Sequence, residues 1–169
     1  GATPIGVLAV NGSTINLNAN ISTANQNATF TGPVALGTVA TVIISTSSAG
    51  TAGGNVYFTS TVESASHKAL TVAAGSDAST GGVVTFGGIV GGSTNTIGQL
   101  DVTGKTINLP GSISTNDRAI IFTGATLLTA NTNLDTSDAN PAGNIITFAG
   151  TLNSSVSNRN LTTDSGTGG

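Results

Sequence analysis

The sequence contains no cysteine, methionine or tryptophan, has one tyrosine and one histidine, and is only 7% charged. Without cysteine there is no disulfide framework, no thiolate metal site and no cysteine nucleophile. Four basic residues stand against seven acidic ones, for a formal charge of −3. No basic patch is therefore available to neutralise phosphates, and nucleic acid is not an expected partner. No apolar run reaches the roughly 20 residues of a membrane-spanning helix. No basic-then-apolar leader precedes Gly1, so the signal of an exported protein would lie upstream.

Threonine, serine, asparagine, glycine and alanine take the place of charge. Disorder couples low hydrophobicity to high charge, and here 37% of residues are hydrophobic, so the chain is expected to fold. The five phenylalanines all open one phrase: "FTGPV" at 30–34, "FTSTV" at 58–62, "FGGIV" at 86–90, "FTGAT" at 122–126 and "FAGTL" at 148–152. A longer repeat contains them. "IGVLAVNGSTINL" at 5–17 lies over "IGQLDVTGKTINL" at 97–109, and "ASHKALTVAAG" lies over "VSNRNLTTDSG". Shifts of 91 to 92 residues point to an internal duplication, read as repeats of approximately 1–91 and 92–169 within a single segment spanning 1–169.

Segments such as "GNVYFTSTV", "GVVTFGGIV" and "GNIITFAGTL" are rich in β-branched residues and bounded by turn formers, while apolar residues never hold helical spacing. The fold expected is all-β. Two architectures suit it: a parallel β-helix, or β-solenoid, with coils of about 26–36 residues, and a tandem of β-sandwich domains. A sandwich has no reason to repeat one strand phrase within a domain, whereas a solenoid needs the same residue type at the same interior place in every coil. On the solenoid reading Phe30, Phe58, Phe86, Phe122 and Phe148 share one interior column, stacked about 4.8 Å apart. Gly32, Gly88, Gly124 and Gly150 follow them as coil corners.

Chemistry is sparse. His67 lies near Glu63 and Lys68 without the serine context of a catalytic triad, and the group reads as a surface loop. Asp135 to Asn140 offers oxygen ligands without the spacing of a calcium loop, and reads as an exposed turn; Asp117 and Arg118 read as a local loop pair. No catalytic, cofactor-binding or metal-ligating residue is assigned. The alternative is a carbohydrate-active β-helix enzyme, which needs few acids but needs them clustered.

"GGNVYFTSTV", "ALTVAAGSD", "GGVVTFGGIVGG", "LDVTG" and "LTTDSGTGG" together resemble the repeats of filamentous-haemagglutinin-like, β-strand-repeat bacterial surface adhesins. The resemblance implies a long right-handed parallel β-helix, exported, displayed at the cell surface or released as fibres, and serving adhesion and biofilm formation. "GATPI" at one end and "SGTGG" at the other fall inside repeats. The expected neighbours are copies of the chain stacked end to end or the continuation of a longer chain, with cell-surface or matrix components as contacts. The expected location is extracellular.

Overall fold

The computed structural model describes residues 3–47, 52–109, 111–137, 142–156 and 158–167. Among these residues there is no helix, and seventeen strands carry the regular structure. The chain lays down β1 (Leu8–Asn11), β2 (Ile15–Leu17) and β3 (Ile21–Ser22), then β4 (Ala28–Thr31), β5 (Val34–Leu36) and β6 (Thr41–Ser45). A third triplet follows: β7 (Val56–Phe58), β8 (Val62–Glu63) and β9 (Ala69–Ala73). Each triplet lies on the one before, so that β1, β4 and β7 form a first face, β2, β5 and β8 a second, and β3, β6 and β9 a third.

The cycle continues. β10 (Val83–Phe86) adds to the first face on β7, and Val90 adds to the second by a bridge to Val62. β11 (Leu100–Leu109) serves two faces: its first half pairs with β9 and its second with β10. β12 (Ile113–Ser114) joins the second face through Val90, and β13 (Ile120–Leu128) lies along both halves of β11. β14 (Thr132–Asp135), β15 (Ile146–Phe148), β16 (Leu152–Ser154) and β17 (Leu161–Asp164) then cover the second, third, first and second faces. Every pairing between these strands is parallel, and the sheets curl around one apolar core. The antiparallel ladders that β-sandwiches require do not occur among them.

Alternation explains why these segments form two-sided strands. Along β13, "IIFTGATLL", buried and half-buried residues alternate without a break, which sends Ile120, Phe122 and Leu128 inward and Thr123 and Leu127 outward. At corners, where strand ladders stop, asparagine side chains take over the backbone donors of the next layer. Asn27 Oδ1 accepts from Asn55 N at 2.8 Å, Asn55 Oδ1 from Val83 N at 2.7 Å, and Asn20 Oδ1 from Ile43 N at 2.9 Å. The abundance of asparagine thus has a physical use, because buried or half-buried N–H groups must be paired.

The five phenylalanines do not share one column. Phe30, Phe58 and Phe86 stack on the first face, with ring centroids 5.1 and 5.2 Å apart. Phe122 and Phe148 are neighbours on the third face, with centroids 5.4 Å apart and rings tilted by 33°. Register makes the division explicit. Thr85 pairs with Asn108, which seats Leu109 on Phe86, and Leu109 pairs with Leu128. Phe122 instead pairs with Val102, which lies on Val72. The 36 residues between Phe86 and Phe122 therefore hold an additional layer whose inward residues are Val102 and Leu109. Layers are correspondingly shorter than the spacing of the phrases suggests, from 18 residues (Ile97 to Thr115) to 30 (Val72 to Val102).

The cause lies in the duplication. Leu8 is on the first face and its counterpart Leu100 on the third, three complete cycles and two faces later, or eleven strand positions. Eleven is not a multiple of three, so the second repeat is turned by one face relative to the first. Phe30, Phe58 and Phe86 form the stack of one repeat, and Phe122 and Phe148 the tilted pair of the other. The corner glycines divide in the same way. Gly32 and Gly88 turn the chain from the first face to the second, while Gly124 and Gly150 turn it from the third to the first.

Two buried inward strand positions, Thr126 and Thr132, break the apolar rule, and Thr132 donates to the Ala130 carbonyl at 3.2 Å. Leu8, Ala28, Val56, Val84, Ile107 and Thr126 are successive register partners, and the buried Thr126 hydroxyl makes no hydrogen bond among the described residues. An unpaired buried hydroxyl costs about 1–3 kcal/mol. Thr126→Val is therefore expected to raise stability by about 1 kcal/mol, seen as a higher urea midpoint at unchanged slope. A lower midpoint would contradict this account of the site.

Candidate functional site

The titratable residues singled out in the sequence are spread over corners and outer faces. His67 occupies a turn with φ of 52°, and its counterpart Asn158 has φ of 69°. Histidine and asparagine are among the few side-chain-bearing residues that tolerate this left-handed region. His67 Nδ1 lies 3.0 Å from the Thr96 carbonyl oxygen and 3.1 Å from its hydroxyl, Asn95 donates to Glu63 at 3.3 Å, and the Lys68 amide donates to Ser64 Oγ at 2.9 Å. The His67 and Glu63 contacts tie this corner to the next layer and the Lys68–Ser64 bond closes it locally; none aligns a base with a nucleophile. Asp117 repeats the same strategy at φ 54°, matching Asn25 at 58°.

Of the segment Asp135 to Asn140, residues 138–140 lie outside the described residues. Asp135 accepts from the Ser137 amide and hydroxyl, both at 2.8 Å. Its register partner Asp164 accepts from Gly166 N at 2.9 Å. The two aspartates are neighbours on the second face, yet each is turned back to close its own loop. Among the described residues no group of three or more histidines, cysteines, aspartates or glutamates could hold a metal ion, and no helix is long and apolar enough to cross a membrane.

Two carboxylates respond to their surroundings in opposite directions. Asp77 accepts from Ser79 Oγ at 2.6 Å, Ser79 N at 2.7 Å and Thr80 N at 3.0 Å. These bonds, the Ser79 hydroxyl first, lower its pKa to about 2. Burial raises that of Asp101. A lowered value means that ordering of the Asp77 loop is fully present above the unfolded pKa near 3.9 and is lost only as pH falls through about 2. A raised value has the opposite sign, and the fold gains as Asp101 takes up its proton. The expected NMR result is an Asp77 midpoint near 2, with the amides of Ser79 and Thr80 shifting at the same point. A midpoint near 4 would contradict the hydrogen-bonded loop. Asp101→Asn is expected to leave stability at pH 7 unchanged or raised.

Buried threonines form a set that sequence reading passed over. Thr23 Oγ1 donates to Gln26 O at 2.5 Å, and its counterpart Thr115 donates likewise to Arg118 O. Thr46 and Thr136 each donate at 2.6 Å to a carbonyl eight residues on, of Gly54 and Asn144. All four are nearly or wholly inaccessible. They close corner loops internally, where a free carbonyl would otherwise be buried. Their recurrence at shifts of 92 and 90 residues was the one available signal, since threonine is too common here to stand out.

Two strand edges remain open among the described residues. β1, β2 and β3 have strand partners on one side only, as do β15, β16 and β17. Each rim opens onto the core. One concavity, of about 490 Å³, is lined by Ile5, Leu8, Val10, Ile21 and Ile43 among others. The other, of about 410 Å³, is lined by Ile145, Ile146, Phe148, Thr163 and Ser165. Neither has a titratable lining residue, so both offer apolar contact and strand edges, not acid–base chemistry. No protein family, curated protein or solved structure matches the chain.

Proposed function

We propose that the chain is a β-solenoid segment of a bacterial extracellular adhesin or self-assembling filament, and that its role is structural. The observation that carries the reading is the cyclic stack of parallel strands whose inward rows are predominantly apolar. Such a stack is stiff because backbone hydrogen bonds run along its axis in every layer, and it lengthens by adding layers without a new core design. Its outward faces carry threonine and asparagine, with Asn108 Nδ2 donating to Thr85 Oγ1 at 3.0 Å across layers. Uncharged ladders of this kind avoid the like-charge repulsion that stacked acids or bases would bring. Cell-surface or matrix components are the contacts this surface suits.

Display of the chain on a non-adherent bacterium is expected to increase cell retention on surfaces and in biofilm. Unchanged retention would sink the adhesive part of the reading. The enzymatic alternative has one point in its favour, the adjacency of Asp135 and Asp164. No polysaccharide turnover is expected from the purified chain; reproducible turnover that Asp135→Asn abolishes would replace the structural role with a catalytic one.

A further inference from the structure

We infer that Asn11 is a site of covalent modification: its side-chain amide is lost through attack by the Gly12 nitrogen, and the isoaspartate that forms loosens the corner between β1 and β2.

Asparagine is among the thermolabile side chains, and Asn11–Gly12 is the single Asn-Gly step in the sequence. Glycine leaves the attacking nitrogen without a neighbouring side chain to shield it. Other corner asparagines are occupied. The Oδ1 atoms of Asn18, Asn20, Asn27, Asn55 and Asn131 each accept a backbone N–H from an adjacent layer. The Asn11 side chain makes no hydrogen bond among the described residues and is exposed. That exposure is lateral. Its counterpart Thr103 also points outward and is only half-buried, although Ala73 and Thr123 flank it in the layers on both sides.

The step balances with water alone. Gly12 N donates to the Thr31 carbonyl at 3.1 Å; once released, it attacks Asn11 Cγ. The N–Cγ bond forms, the side-chain amide takes up the proton that Gly12 N gives up and leaves as ammonia, and a succinimide closes. Water opens the ring at either carbonyl, giving aspartate or isoaspartate. Little has to open first. The next amide that this corner donates to the same layer is Ile15 N, to Pro33 O at 2.8 Å, so a local opening frees Gly12 without global unfolding.

The surroundings suit the product poorly. No charged residue precedes Glu63, so a carboxylate at position 11 is the only charge in this part of the chain. Isoaspartate also carries the chain through its β-carbon and thereby adds a methylene to the backbone. The corner has no room for it, because Gly12 O lies so close to Gly32 that a Cβ there would stand 1.9 Å away. The bond from Gly12 to Thr31 is then lost. The second repeat is immune, since Thr103 precedes Gly104.

The test is incubation of the intact chain in mildly alkaline buffer, followed by ion exchange, peptide mapping and labelling with an isoaspartate-specific methyltransferase. The expected result is a growing fraction one charge more acidic, with the methyl label at position 11. Asn11→Thr, which installs the residue of the second repeat, is expected to abolish it. The separated isoaspartyl chain is expected to unfold at a lower urea midpoint than either the untreated chain or Asn11→Asp, which carries the charge without the methylene. An acidic fraction that grows as fast in Asn11→Thr, or one that forms in urea but not in the folded chain, overturns the modification. An isoaspartyl chain with the midpoint of Asn11→Asp overturns the loosening of the corner.

Discussion

Phe58→Ala is expected to be the most damaging single truncation in the protein, lowering stability by about 3–5 kcal/mol. Phe58 is 1% exposed and is the only phenylalanine with a ring on both sides, Phe30 at 5.1 Å and Phe86 at 5.2 Å. Removing the middle ring opens a gap between two others whose backbones are held by strand ladders above and below, so the walls cannot close on it. Phe148→Ala makes the informative comparison. Phe148 lies at a rim, is only partly buried and has one ring neighbour, so its loss is expected to cost less than half as much. Equal losses in urea unfolding would mean that the two sets of rings are not the interior and the margin described here.

A methyl group at Gly124 is expected to be nearly as harmful. Gly124 has φ of 140°, and an ideal Cβ built on it would lie 1.9 Å from the Gly104 carbonyl oxygen, far inside contact distance. Gly32 repeats the arrangement at φ 127°, with the same 1.9 Å approach to Gly12 O. In both, the conformation is one that side chains avoid, and the obstacle is backbone of the adjacent layer, which cannot swing aside. The conformational part alone costs about 1–3 kcal/mol, and displacement of the neighbouring corner adds to it. Gly124→Ala is expected to lower the urea midpoint clearly, whereas Gly111→Ala, where an added Cβ meets nothing within 4 Å, is expected to leave it unchanged. A tolerated Gly124→Ala would mean that the layers are not in this close contact.

The phenylalanine phrase was legible as an inward residue followed by a corner because that environment recurs wherever the phrase does. Its angular position was not legible. Sequence repetition reports that two residues meet the same neighbours, but says nothing of how many strand positions separate them. That number is set by the strands that lie between the two copies, from β1 to Val90, whose count the repeat does not reveal. Within the repeat both copies step on by one face, "LAVNGSTINL" as the separate strands β1 and β2 and "LDVTGKTINL" as the single strand β11, with a register shift between Thr103 and Thr106. The layer hidden between Phe86 and Phe122 escaped notice because Val102 and Leu109 fill it without an aromatic ring. His67, read as part of a surface loop, could have been placed more narrowly at a left-handed turn from the alignment of "ASHKA" with "VSNRN", which sets it opposite an asparagine.

The central claim is the one-face turn between repeats, and NMR contacts in this 16.3 kDa chain test it most directly. With selectively labelled phenylalanine, valine and leucine, the Phe122 ring is expected to show contacts to the Val102 methyls, and the Phe86 ring to the Leu109 methyls, with no contact between the two rings. A strong Phe86–Phe122 ring contact would restore a single column and contradict the turn.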